Sequence, residues 1–142
     1  MAQYKVTCLT CTDDYIYPGK WDSSENYFSS LKEAKRFCLL KYWNFFTDSD
    51  GYFTLDSLEL GDDIVFYYPD KESYIRDNKH KDIEKIKFYP LPRTQLDFEV
   101  IMDQYDLDDL FAMFEDVCTS GDSLHPFIFT IHEIKQVFAF ST

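Results

Sequence analysis

From Thr94 to Ile134, a run of 41 residues, the chain carries ten carboxylates and no Lys or Arg. Uncompensated charge must stay in water, so this stretch can fold only as elements that bury one side and solvate the other. Its apolar residues obey that constraint. Leu107, Leu110, Phe111, Phe114, Val117 and Cys118 recur at three- and four-residue steps behind Asp106, a good capping residue. The spacing predicts a helix from Leu107 with Gly121 as its stop. An earlier stripe, Phe98, Ile101, Met102 and Tyr105, follows a Thr94 cap and is out of phase with the first, which predicts two helices or a kink near Asp106.

Upstream, Tyr4–Leu9 alternates like a strand, whereas residues 12–28 hold Pro18, Gly19 and paired Asp and Ser and read as a long loop pinned by Tyr15, Tyr17, Trp21 and Tyr27. Ser30 to Glu33 reads S-L-K-E, a capping box. The helix it opens should bury Leu31, Ala34, Phe37, Cys38, Lys41 and Phe45 on one face and stop by Thr47, before the turn formers Asp48-Ser49-Asp50-Gly51. Tyr52–Leu55 and Ile64–Tyr68 read as strands of an antiparallel meander, and Asp70–Asp82 as an exposed connection or short helix. Ile83–Tyr89 reads as a further strand, and Pro126–Phe140 as one long strand or two short ones. The expected fold is α+β: one domain over residues 1–142, a mostly antiparallel sheet of four to six strands with two to three helices packed on it.

Composition fits that size. With 14 Phe and 11 Tyr in 142 residues, the core is expected to be built largely from rings, and 45% apolar content argues against disorder. No run approaches the ~20 apolar residues of a membrane helix, and MAQYKVTCLT does not read as a signal peptide, so a cytoplasmic location is expected. Cys8, Cys11, Cys38 and Cys118 are too scattered for a disulfide scaffold and are expected to be reduced.

The net charge of -12 disfavours direct contact with nucleic acid. It is also uneven, because residues 1–93 hold 16 acids against 13 bases. On a helix, Glu99, Asp103, Asp106, Asp109 and Asp116 would fall close to one line, although neighbouring carboxylates repel by a few tenths of a kcal/mol per pair. These five are the candidate partner-binding residues, facing a basic, nucleic-acid-acting protein. The competing reading is an outer helix face that is simply solvated, with Asp106 to Asp109 serving the helix start. In surface chemistry alone the row resembles the acidic DNA-mimic and anti-defence inhibitors that phages encode, which implies action in a host cytoplasm. The scarcity of Arg, Ala and Gly beside abundant Phe, Tyr, Lys and Asp suits such an origin. A toxin-neutralising immunity protein, an adaptor subunit of an assembly, and a small enzyme with an unrecognised site are the alternatives.

Chemical motifs are weak. Cys8-Leu9-Thr10-Cys11 has a metal or redox spacing but lacks a second pair or a helix start. Asp48 to Gly51 resembles part of a calcium loop, yet with Gly51 at its turning position Phe46 and Ser57 stand where oxygen ligands belong. His80, His125 and His132 are too dispersed to share a metal. Four glycines, none in a phosphate-loop spacing, and no nucleophile elbow complete the reading. Neither catalytic residues nor a cofactor or metal are expected.

Overall fold

The computed structural model describes residues 3–11, 21–67, 71–79, 81–119 and 127–134, without the side chains of Cys11, Trp21, Cys118 and Thr119. It is α+β, with four α-helices and six strands among the described residues. The strands form two three-stranded sheets, ordered β2-β1-β6 and β3-β4-β5, and this, with four helices, corrects the expectation of a single sheet carrying two to three helices. The residues group into two compact units, one from Met1–Cys38 and Cys118–Thr142, the other Leu39–Val117.

In the first unit, β1 (Gln3–Cys11) lies between β2 (Trp21–Phe28) and β6 (Phe127–Ile134), antiparallel to both. β2 occupies part of the expected loop. Its Asp, Ser, Glu and Asn residues are poor strand formers, so the strand owes its existence to the ladder with β1, where Lys5 and Glu25 stand 3.7 Å apart. Residues 12–20, including Tyr15 and Tyr17, lie outside the described residues. So do Gly121, His80 and His125. Val6, Cys8, Ala34 and Cys38 form the buried core of this unit, with Phe37 against Phe28 at 5.1 Å.

Helix α1 (Leu31–Phe45) begins as its cap predicts, with the Glu33 amide donating to Ser30 Oγ at 3.1 Å. The Glu33 carboxylate accepts from the Ser29 hydroxyl at 3.2 Å rather than closing the box on a backbone amide. Its inward face is Ala34, Cys38, Leu39, Tyr42 and Trp43, while Leu31 and Phe45 are exposed. The expected stripe was therefore set too far towards Phe45: burial follows the two rings at 42 and 43.

In the second unit, α1 is followed by a turn in which Asp48 Oδ1 accepts from the Asp50 and Tyr52 amides, each at 2.9 Å. Tyr52–Leu55 is not a strand; Phe53 only bridges Thr47. β3 is Ser57–Leu60, and it pairs antiparallel with β4 (Ile64–Tyr67) across a turn in which Gly61 takes a φ of +64°, a backbone shape that favours glycine. α2 (Lys71–Asp77) and a single 3-10 turn (Ile83–Lys85) lead to β5 (Lys87–Pro90), parallel to β4. α3 (Gln95–Gln104) carries its Thr94 cap, which accepts from the Asp97 amide at 3.2 Å, and α4 (Leu107–Thr119) follows after a break at Tyr105–Asp106.

The core of this unit is aromatic. Trp43 stacks on Phe98 (centroids 5.0 Å apart, planes 8° from parallel) and leans on Phe53 at 4.3 Å. Tyr42 stacks on Phe114 at 5.5 Å, and Phe98 meets Phe114 edge-on at 5.6 Å. These rings tie α1, α3 and α4 to the chain around Phe53. A smaller cluster of Val65, Tyr74 and Ile86 joins β4, α2 and the approach to β5.

Two predictions follow from burial. Phe98 is 0% exposed and Leu96, two residues away, is 74% exposed. Phe98→Ala should cost about 3–5 kcal/mol in urea unfolding and Leu96→Ala less than about 0.5 kcal/mol; similar values for both would contradict the packing of α3. Burial, followed by the proximity of Cys8, pushes the Cys38 thiol up to about 12. In the folded protein near pH 8, site-resolved mass spectrometry should find Cys38 protected from thiol reagents, whereas urea should expose it to labelling within minutes.

Candidate functional site

The acidic residues are distributed over two helices. Glu99 and Asp103 share one face of α3, and Asp109 and Asp116 share one face of α4. The chain breaks between the helices, so the five candidates do not form a single line on a continuous helix. Asp106 sits at that break and caps α4, its Oδ1 accepting from the Asp108 amide at 2.9 Å and the Asp109 amide at 3.2 Å. Its charge, with Asp108 and Asp109 in the first turn, also opposes the positive end of the helix dipole. Three of the ten acids thus have a structural role. Asp103, Asp106, Asp109 and Asp116 are exposed and Glu99 is half-buried. Asp103, Asp108, Glu115 and Asp116 each engage another group of the chain.

Along α3, from Asp97 to Tyr105, the second unit holds a groove of about 400 Å³. The proline-flanked Leu91 starts it: Pro90 and Pro92 keep the chain extended between β5 and the Thr94 cap, which leaves a strap running beside α3 instead of over it. Phe66, Leu91 and Ile101 are buried and form the floor, while Tyr89 and Val100 stand half-exposed at the rim. Phe66 lies between two tyrosines, 6.0 Å from Tyr89 and 5.9 Å from Tyr105, the latter edge-on. Burial, and then the neighbouring Tyr89, raise the Tyr105 hydroxyl above its ordinary value. Asp97 is the charged residue among the described lining.

A polar triad lies elsewhere in the same unit. Tyr74 donates its hydroxyl hydrogen to Glu59 Oε1, and the Lys81 ammonium donates to that oxygen at 2.9 Å and to the Tyr74 hydroxyl at 2.8 Å. Lys81 also lies 5.3 Å from the Tyr74 ring centre. Burial, then the bond to Glu59, raise Tyr74; burial would lower Lys81, but its bonds to Glu59 and Tyr74 outweigh that and hold it raised. At neutral pH both protons therefore stay where they are. The triad is a clamp between β3, α2 and the segment after it.

Neither the groove nor the triad was visible as a site in the sequence, although Ile101 and Tyr105 belong to the expected helical stripe. Glu59, Tyr74 and Lys81 are 15 and 22 positions apart, without a motif to connect them; the only local signal for the groove was the Pro-Leu-Pro step. The C-x-x-C lies on one continuous strand, with Cys8 buried in the sheet, and the Asp48 carboxylate is occupied by its own turn. Among the described residues no three His, Cys, Asp or Glu side chains converge to hold a metal ion, and no helix is long and apolar enough to cross a membrane. No family model, curated protein or solved structure matches the chain.

The triad sets an alkaline limit. Raised Tyr74 and Lys81 keep their protons in the fold at a pH where the unfolded chain has begun to lose them, so stability is full below about pH 10 and falls as pH rises beyond it. Tyr74→Phe should cost about 1 kcal/mol at pH 8 and flatten that fall; urea midpoints measured at pH 8 and in the alkaline range, with an unchanged slope in the variant, would refute the clamp.

Proposed function

We propose that this chain is a non-catalytic binding protein that docks a basic, nucleic-acid-acting protein through the carboxylates of α3 and α4 and thereby inhibits it. The observation that carries the reading is the 41-residue run with ten acids and no base, from which Asp97, Asp103, Asp106, Asp109 and Asp116 are exposed on or between these two helices. A field of that sign speeds encounter with a cationic partner and repels anionic competitors. Helix starts account for Asp97, Asp106, Asp108 and Asp109 but not for Glu99, Asp103, Glu115 and Asp116 on the same two helices. An inhibitor of this kind acts in the cytoplasm, that of the host if a phage encodes it. An immunity protein against a basic toxin would use the same surface.

The test starts from a partner captured from the native host on the immobilised chain. Affinity should fall roughly tenfold or more as monovalent salt rises from about 0.05 to about 0.5 M. The combined variant Asp103→Asn, Asp106→Asn, Asp109→Asn removes three charges and keeps an amide able to cap α4. It should weaken capture and flatten the salt dependence, with a melting temperature within a few degrees of the parent's. Binding indifferent to both salt and these substitutions would remove the acidic face from the interaction.

A further inference from the structure

The groove beside α3 combines features that the acidic face alone lacks. Its floor is preformed, since Phe66, Leu91 and Ile101 are at most 8% exposed. Its volume of about 400 Å³ lies within the roughly 300–1,000 Å³ of ligand pockets. Among the described lining residues the charged group is the exposed carboxylate of Asp97, and the rings of Tyr89 and Tyr105 flank Phe66. An apolar trough with a single carboxylate and aromatic walls matches a side chain that is apolar along its stem and cationic and planar at its tip.

We infer that this groove seats an arginine of the basic partner, its methylenes on the apolar floor of Leu91 and Ile101 and its guanidinium at Asp97. The guanidinium is planar, weakly hydrated and able to bond a carboxylate with two parallel N–H donors while lying on an aromatic face. A lysine ammonium is compact and strongly hydrated, and fits such walls less well. The surrounding charge has the right sign: Asp97 begins the base-free run, and Glu99 and Asp103 follow on the same helix. The inference rests on the docking reading above and adds to it a hot spot, the buried anchor around which exposed charges contribute mainly to encounter.

The experiment needs no partner protein. The full chain, labelled with ¹⁵N, is titrated with capped leucyl-arginyl-leucine and with the same peptide carrying citrulline, which keeps the shape of arginine and removes its charge. The arginine peptide should give saturable shifts at the amides of Tyr89, Leu91 and residues 97–105, with affinity about tenfold above that of the citrulline peptide. Asp97→Asn should erase that preference; the fold should survive, because Thr94 caps α3 through the backbone amide at position 97. Equal binding of the two peptides, a preference that survives Asp97→Asn, or arginine-dependent shifts confined to the start of α4 would each overturn the assignment. A null result here leaves the salt test untouched, and a salt-independent partner leaves this titration to be judged on its own.

Discussion

The stack of Trp43 on Phe98 is the contact on which the second unit depends. It joins a residue near the end of α1 to the first turns of α3, and through Phe53 and Phe114 it extends to the loop after α1 and to α4. Nothing polar is buried among the described residues, so this core is held by area and ring geometry rather than by hydrogen-bond networks. Rings bury much surface for few rotatable bonds. A short helix such as α3, ten residues long and marginal by itself, is thereby fixed along its whole length, and both the groove and the acidic faces inherit their geometry from it.

That dependence explains how so much negative charge is tolerated. With one side of α3 and α4 committed to the rings, Asp97, Asp106 and Asp109 stand exposed while Asp103, Asp108, Glu115 and Asp116 engage other groups of the chain, and repulsion between exposed neighbours is small and screened. Part of the charge repays its presence locally. Asp106 caps α4, Asp108 and Asp109 sit where the helix dipole favours an anion, and Asp97 does the same in the first turn of α3. Helix starts thus explain four of the acids, and Glu99, Asp103, Glu115 and Asp116 are the acids of these two helices whose placement they do not explain.

What could be read in the sequence was what local chemistry decides. The caps at Ser30, Thr94 and Asp106, the break between α3 and α4, and the turn at Asp48 to Gly51 are each specified within a few residues, and each is found. What could not be read depends on distant partners. β2 looks like a loop because its residues are polar, and becomes a strand only beside β1. β5 joins β4 in parallel, pairing Ile64 with Lys87, a choice that no local pattern reveals, and the division into two sheets follows from such choices. Phe45 belongs to the helical stripe by spacing yet is 52% exposed, since Tyr42 and Trp43 take the core. The acidic residues were visible from their charge alone; the groove was not, because Phe66, Tyr89, Asp97 and Tyr105 come together only through the fold.

The groove and the carboxylates also differ in what they can discriminate. Exposed charge acts over about a Debye length, ~8 Å at physiological salt, and so selects partners by sign and sets how fast they meet, without distinguishing one basic surface from another. A preformed apolar floor with one carboxylate distinguishes shape, because a side chain that cannot fill it leaves the floor wet and Asp97 unmatched. Both draw on α3, which carries Asp97, Glu99 and Asp103 and lines the groove. The rotation of α3 about its axis, set by Phe98, Ile101 and Met102 turning inward, determines both which acids face water and that Val100 and Ile101 line the groove. A change in the core that rotated α3 would displace the exposed acids and the groove lining together, so the proposed docking role would depend on the rigidity of the aromatic core.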